Sequence, residues 1–235
     1  MIWALVGRFV VDPKLVPPPW EVARVASGML VSGELGTHVA ASVGRVAVGY
    51  CLGVVAGVLT GLVLGGSRAV ETVLGPLFEF LKGLPPIALV PLSIMWFGIG
   101  ELPKQLIVAY IVWVVVSVNT AVGVHEVPLV RLRTGRVMGL TTPETFLRVI
   151  LPSTAPYVLV GMRSAVGFAY IAVVSAELVA ANRGLGFVIM DSRFSLETPR
   201  MFVGLICLGL VGALSQLAFD ALMSRTPFLA RYRRR

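Results

Sequence analysis

The 235-residue chain is 57% hydrophobic and only 14% charged. Counting glycine and leaving out tyrosine, its apolar share is roughly 65%, against ~45–50% apolar and about 25% charged in soluble domains. A soluble globule could not cover its surface with so few charges, so the sequence reads as an all-α integral membrane protein. The charge balance is less expected: 20 Lys plus Arg against 12 Asp plus Glu, a net +8. The arginines fall in short segments between apolar runs, not on a basic face interleaved with aromatics, which argues against nucleic acid as a partner.

Residues 1–11 are apolar but too short to cross hydrocarbon ~30 Å thick, which takes about 20 helical residues. They lack the charged start and small-residue cleavage site of a signal peptide, and read as the end of a shortened first span. Val16-Pro17-Pro18-Pro19 breaks any helix there. Residues 20–31 then read as a short amphipathic helix at the interface, anchored by Trp20. Residues 46–67 are an uncharged run bounded by Arg45 and Arg68, long enough to span. Within it Gly49, Gly53, Gly57, Gly61 and Gly65 recur at every fourth position, a bare ridge that lets a second helix approach closely.

Residues 83–100 are also uncharged, but Pro85, Pro86 and Pro91 interrupt them. A broken span is expected, placed where protein or a cavity satisfies the freed backbone groups. Residues 105–124 make an uninterrupted third span. The hydrophilic interval 125–148 carries Arg131, Arg133, Arg136 and Arg148 against Glu126 and Glu144, which places it in the cytoplasm. Residues 149–179 can span although they contain Arg163 and Glu177. Residues 180–200 read as a loop, and 201–219 as a last span ending at Asp220. The tail 225–235 has five arginines and no acid, suited to anionic headgroups on the cytoplasmic side. Two spans separate it from the basic interval, so both lie on the same side.

The chemistry of an enzyme is missing. Lys14, Lys82 and Lys104 are the only lysines and follow Pro13, Leu81 and Pro103, so no GxxxxGK[ST] loop exists to cradle ATP phosphates. Two histidines, His38 and His125, exclude HExxH and His-rich metal sites. Cys51 and Cys207 lie in apolar runs and read as small hydrophobes, with no disulfide or metal. Arg163 and Glu177 come within about 40° of one helix face and ~21 Å apart along the axis. Intramembrane charges are functional candidates; against that, each could snorkel to the nearer headgroups. The shorter Glu177 snorkels less well, which favours a pathway or subunit-contact role. A secondary transporter working without ATP is the competing class, but such proteins commonly carry internal repeats and none is evident here.

The basic interval holds Arg133-Thr134-Gly135, then Gly139-Leu140-Thr141, then Phe146 and Val149-Ile150-Leu151-Pro152. This resembles the loop of binding-protein-dependent ABC importer permeases, whose pattern is EAA, three residues, G, nine residues, then I-x-L-P. Gly139 takes the glycine, Val149 the I position and Leu151-Pro152 the LP, while Arg133-Thr134-Gly135 replaces EAA and an arginine stands for the acid. The resemblance covers almost the whole chain and is closest to the nitrate, sulfonate, taurine and bicarbonate group, through Val16 to Val22, Ser32 to Leu35, Ser42 to Arg45, Leu84-Pro85-Pro86-Ile87-Ala88, Trp96 to Glu101, Asn119-Thr120, Ala176-Glu177 and Gly184-Leu185-Gly186.

The resemblance implies a type I ABC importer transmembrane fold with five to six transmembrane helices, the first largely missing. It implies a multi-pass protein in the cell membrane of a prokaryote with a cytoplasmic C-terminus, divided as 1–36 (N-terminal fragment and interfacial helix), 37–222 (transmembrane domain) and 223–235 (basic tail). It further implies a homodimer, two ATP-binding subunits carrying ATP and Mg, an external solute-binding protein and membrane lipid as partners, with no cofactor on this chain. The coupling loop would comprise Arg133, Thr134, Gly135, Arg136, Gly139, Leu140, Thr141, Phe146, Leu151 and Pro152, forming a short helix seated in an ATPase cleft. Arg163, Glu177, Trp96 and Asn119 are the pathway or gate candidates. The cargo would be a small anion, with a pyrimidine or vitamin precursor as the alternative.

Overall fold

The computed structural model describes residues 15–224, and every regular element among them is helical. The apolar segment 1–11 and the basic tail 225–235 lie outside the described residues. Helix α1 (Pro19–Val31) starts on a proline, at a position where a helix needs no amide hydrogen. After Ser32 and Gly33 comes α2 (Glu34–Gly66), 33 residues long. Ser67 then caps α3 (Arg68–Lys82), its hydroxyl accepting from the Val70 amide. There follow α4 (Pro86–Phe97), α5 (Glu101–His125), α6 (Leu129–Val137), α7 (Thr142–Thr145), a π-helical turn at Phe146–Ile150, α8 (Leu151–Ala180), α9 (Leu185–Phe194) and α10 (Thr198–Ser224).

Among the described residues, four helical stretches are long and apolar enough to cross a bilayer: α2, α5, Thr142–Val179 and α10. The pair α3 and α4, bent by 96° at its break, is apolar enough to cross only when taken together, as a broken span or a re-entrant loop. The bend falls where Pro85 and Pro86 forbid continuation of α3.

The most extensive packing joins α2 to α5, and the glycine ridge explains it. A Cβ on Gly49, Gly53, Gly57, Gly61 or Gly65 would lie 2.5–2.8 Å from the Cβ of Val108 or Val112, Val116, Thr120 or Val124, or from a neighbouring carbonyl oxygen. Both partners advance by four residues together, so the two helices run parallel with backbones in near contact. Helix α8 runs antiparallel to α5, with Gly123 against Thr154 and Tyr157 and Gly161 against Asn119. Helix α10 runs antiparallel to α8: Tyr170 meets Ser215 at 2.7 Å, and Arg163 meets Asp220 at 2.7 Å. The core between them holds Val108, Val112 and Val116 of α5 and Ala165, Ala169, Ala172, Val173 and Ala176 of α8. A second cluster fixes α1 and α9 to the start of α10 through Val22, Met29, Leu35, Leu185, Val188 and Val203.

This register brings Glu34, Glu101, Glu177 and Arg200 to one end of the bundle. It puts Gly66, the α6–α7 loop and Ser224 at the other, where Phe146 packs against Gly66.

Several sequence expectations are corrected. The span read as 46–67 belongs to a helix that starts at Glu34 and runs through Arg45, because that charge is neutralised inside the protein. The segment 180–200, read as a loop, contains the helix α9. The break expected within 83–100 lies at its start, and Pro91 is accommodated inside α4. Helix α3, amphipathic and charged at both ends, was not anticipated.

Candidate functional site

At the Glu34 end, four elements meet on buried charge. Arg45, 4% exposed, extends from α2. It grips Glu101 at the start of α5 with two parallel bonds, Nε to Oε2 at 2.5 Å and Nη2 to Oε1 at 2.8 Å. Its third nitrogen, Nη1, donates to Oε1 of Glu177 and to the Arg183 carbonyl, each at 2.6 Å. Lys104, also buried, lies 3.3 Å from Glu101. Two cations thus face two carboxylates, Glu101 itself being exposed, and this pairing lets Arg45 and Glu177 lie inside an apolar bundle where a lone charge would not be tolerated.

Glu177 is 1% exposed. Besides Arg45 it accepts from the Ser42 hydroxyl at 2.8 Å and from the Gly186 amide at 2.8 Å. The Leu185 amide donates to Ser42 Oγ at 2.9 Å, and the Gly184 amide to His38 Nδ1 at 3.1 Å. The free amides at the N-terminus of α9 are therefore satisfied by side chains of α2 and α8, and the Glu177 carboxylate sits at the positive end of that helix dipole. Gly184 has φ +126°, and a Cβ there would strike the Glu177 carboxyl; a Cβ on Gly186 would lie 2.7 Å from Glu177 Cβ. Only glycine at both positions lets the carboxylate dock. Beside this knot Arg200 donates to Glu34 at 2.5 Å and to Asp191 at 3.1 Å, tying α10 to α2 and α9.

At the opposite end the basic interval folds as helix, turn, helix. Pro128 precedes α6, and Gly139 ends it with φ +74°. The Gly139 amide donates to the Arg136 carbonyl and the Leu140 amide to the Gly135 carbonyl, each at 3.0 Å. That pair of reversed bonds is a Schellman closure, which favours glycine at the left-handed position. Thr141 and Glu144 then form a capping box that starts α7. Gly135 is buried toward Leu140, Thr145 and Val149. The helix expected around 133–146 thus begins at Leu129 and stops at Val137, since the closure at Gly139 terminates it. Arg133, Thr134, Arg136 and Gly139 are exposed, Leu140 and Phe146 are partly covered, and Thr141, Leu151 and Pro152 are exposed.

The four pathway candidates are not brought together. Glu177 belongs to the buried knot. Arg163 is exposed and paired with Asp220, beside a groove between α8 and α10 lined by Leu159, Val160 and Leu217. Trp96 is exposed on α4, edge-on to Phe97 with ring centres 6.5 Å apart. Asn119 donates to the Val115 carbonyl at 2.8 Å and packs on Gly161. Sequence reasoning missed Arg45, Glu101, Ser42 and His38. Three of these, Ser42, Arg45 and Glu101, sit in segments that carry the family resemblance, and by hydropathy Arg45 only bounds an apolar run. Among the described residues no group of three or more His, Cys, Asp or Glu could hold a metal.

Residues 53–226 match the family described as binding-protein-dependent transport system inner membrane component. The chain is 33% identical over 225 residues to the putative aliphatic sulfonates transport permease protein SsuC of Bacillus subtilis, covering 95% of this chain and 81% of that protein. It is 31% identical over 234 residues to the taurine transport system permease protein TauC of Escherichia coli, covering 96% and 84%. It is 35% identical over 190 residues to the nitrate import permease protein NrtB of Leptolyngbya laminosa, covering 80% and 67%. The fold is similar to that of the MetNI methionine ABC transporter in inward-facing conformations, with TM-score 0.70 at 18% identity over 91% of this chain and 97% of that one. This all-helical arrangement of apolar spans is the transmembrane fold of a type I ABC importer. The chain belongs to the family of binding-protein-dependent ABC transport permeases of the inner membrane.

Proposed function

We propose that this permease carries a small oxyanion, of the sulfonate, taurine or nitrate kind, handed to it by a solute-binding protein at the Glu34 end. Two copies line the pathway, and two separate subunits bind and hydrolyse ATP below the α6–α7 loop, at the end where the described part of α10 finishes. That end faces the cytoplasm, so the arginine-rich tail follows the positive-inside rule. The absence of any GxxxxGK[ST] loop in the sequence supports hydrolysis on another subunit.

The observation that carries the reading is the exposed projection made by α6, the Gly139 closure and the capped α7. A lever of this kind, continuous through the π-helical turn with the 30-residue α8, transmits a rigid-body displacement from below to the spans above. Uptake tests it: vesicles holding this chain, its copurifying ATPase and the binding protein should accumulate taurine, an alkanesulfonate or nitrate only with ATP inside. Accumulation driven by an ion gradient without ATP would point to a secondary transporter instead.

A further inference from the structure

Helix α3 has two unlike faces. Glu71, Gly75, Phe78, Glu79 and Lys82 fall within about 100° of arc around its axis, while Val73, Leu77 and Phe80 stand exposed on the other side. The first face closes on α5 around a cavity of about 310 Å³. One end of that cavity lies toward the α6–α7 end of the bundle, where His125 Nε2, at the close of α5, is 3.6 Å from the Glu71 carboxylate. Further along, Phe78 meets Trp113 edge-on with ring centres 5.3 Å apart. Trp113 stands twelve residues from either end of α5, so Phe78 and the adjacent Glu79 lie at mid-depth. Here the Lys82 amine donates to Glu79 Oε1 at 2.7 Å and lies 2.6 Å from Oε2. Between the two charged ends is Gly75, with no atom within 4 Å of where a Cβ would stand.

Charged side chains at that depth are costly against acyl chains and face a bundle interior or a water-filled path. The apolar side of α3 is left for lipid. Among the described residues the ionisable lining of the cavity is Glu71, Glu79, Lys82 and His125, one lysine against two carboxylates. Even a doubly protonated His125 only brings the set to neutrality. A bare oxyanion that took Lys82 would leave Glu79 without its cation and add a negative charge where the dielectric is low. A zwitterion adds no net charge: its oxyanion takes Lys82 while its ammonium takes Glu79, and one ion pair becomes two. We infer that the α3–α5 cavity is a cargo site with Lys82 and Glu79 as its recognition groups, and that its ligand is a small zwitterion carrying an ammonium and an oxyanion on a short chain. This assignment rests on the transport reading above and narrows its cargo.

The test measures equilibrium binding to the permease with its copurifying ATPase, purified from membranes in mild detergent and free of binding protein, so that any selectivity belongs to the membrane complex. The probes are taurine, ethanesulfonate, which has the same oxyanion and no ammonium, and nitrate. Taurine should bind at least about tenfold more tightly than the other two, the worth of one charged hydrogen bond. Glu79→Gln should bring taurine down to the level of ethanesulfonate, and Lys82→Met should weaken both. Gly75→Leu, whose Cβ meets open space, should block both with the thermal transition unchanged. Equal binding of the three probes, no binding of taurine, or a taurine preference that survives Glu79→Gln would overturn the inference. So would separation of two copies of the chain in Lys82→Met with probe binding unchanged, which would make the pair a contact between copies. Vesicle uptake tells the two readings apart. ATP-driven uptake of nitrate or ethanesulfonate as readily as taurine overturns the cargo class and leaves the ATP-driven reading standing; taurine uptake driven by an ion gradient without ATP does the reverse.

Discussion

Arg45 and Glu177 are 132 positions apart in sequence and 2.6 Å apart in space, and with the bonds of Arg45 to Glu101 and of the Gly186 amide to Glu177 they tie α2 and α8 to the start of α5 and the first turn of α9. Removing Arg45 leaves Glu177 buried without a cation, which costs about 3–5 kcal/mol, whereas removing Glu177 leaves Arg45 still paired with Glu101. Arg45→Met should therefore lower the thermal transition of the detergent-purified permease strongly, and Glu177→Gln less so, since Arg45 keeps Glu101 and the amide oxygen still accepts from Ser42 or Gly186. The double variant should fall short of the sum of the two losses. A cycle in which the two effects simply add would show that the pair does not act as a unit.

The ridge on α2 makes a prediction with its own control. At Gly57 a Cβ would meet Val116 Cβ at 2.7 Å, whereas Gly44, on the same helix, has open space around it. Gly57→Ala should force α2 away from α5 and destabilise by roughly 1–3 kcal/mol. Gly44→Ala should be neutral or mildly stabilising, because alanine restricts the unfolded chain more than glycine does. Thermal unfolding of the two variants side by side decides it; equal behaviour would mean that the helices tolerate a wider separation than their register indicates.

Those five glycines were legible because a period of four on an uncharged run has one physical use, close approach. The spans at 105–124 and 201–219 were legible for a similar reason, since apolar length alone sets them, and their ends moved outward by a few residues in the structure. The charged knot was not legible. Arg45 looks like the end of a span when only local hydropathy is read, and its membership of α2 follows from Glu101 and Glu177, both distant in sequence. The Gly139 closure was half legible: the glycine stood out, but the helix it ends depends on Pro128 and on Gly135 packing against Val149. Arg163 and Glu177 shared a helix face by arithmetic, yet their partners lie on different helices, α10 and α2, and this sends them to different surroundings.

Arg163 and Asp220 form an exposed pair between α8 and α10, with Leu159, Val160 and Leu217 beside them. As a pathway group, Arg163 would offer its guanidinium to a passing oxyanion, with Asp220 as the resting counter-ion. Arg163→Gln should then reduce ATP-driven uptake of taurine or nitrate by on the order of tenfold, the worth of one charged hydrogen bond. A swap, Arg163→Asp with Asp220→Arg, separates this from a structural tie. It should recover the thermal transition without recovering uptake; if uptake returns with stability, the pair is a brace between two helices.

Gly139 gives the most direct test of the proposed coupling. Its φ of +74° lies in the left-handed region, and no atom lies within 4 Å of where a Cβ would stand, so a substitution there acts through backbone strain alone. Valine, branched at Cβ, fits that region worst, whereas asparagine visits it readily. Gly139→Val should undo the bonds from Gly139 to Arg136 and from Leu140 to Gly135, letting α6 run on or fray and changing its angle to α8. Insertion and the thermal transition of the spans should be little affected, because Gly139 lies outside them. Stimulation of ATPase activity by loaded binding protein should be lost in Gly139→Val and largely kept in Gly139→Asn. Full stimulation in the valine variant would show that force passes to the spans by a route other than this turn.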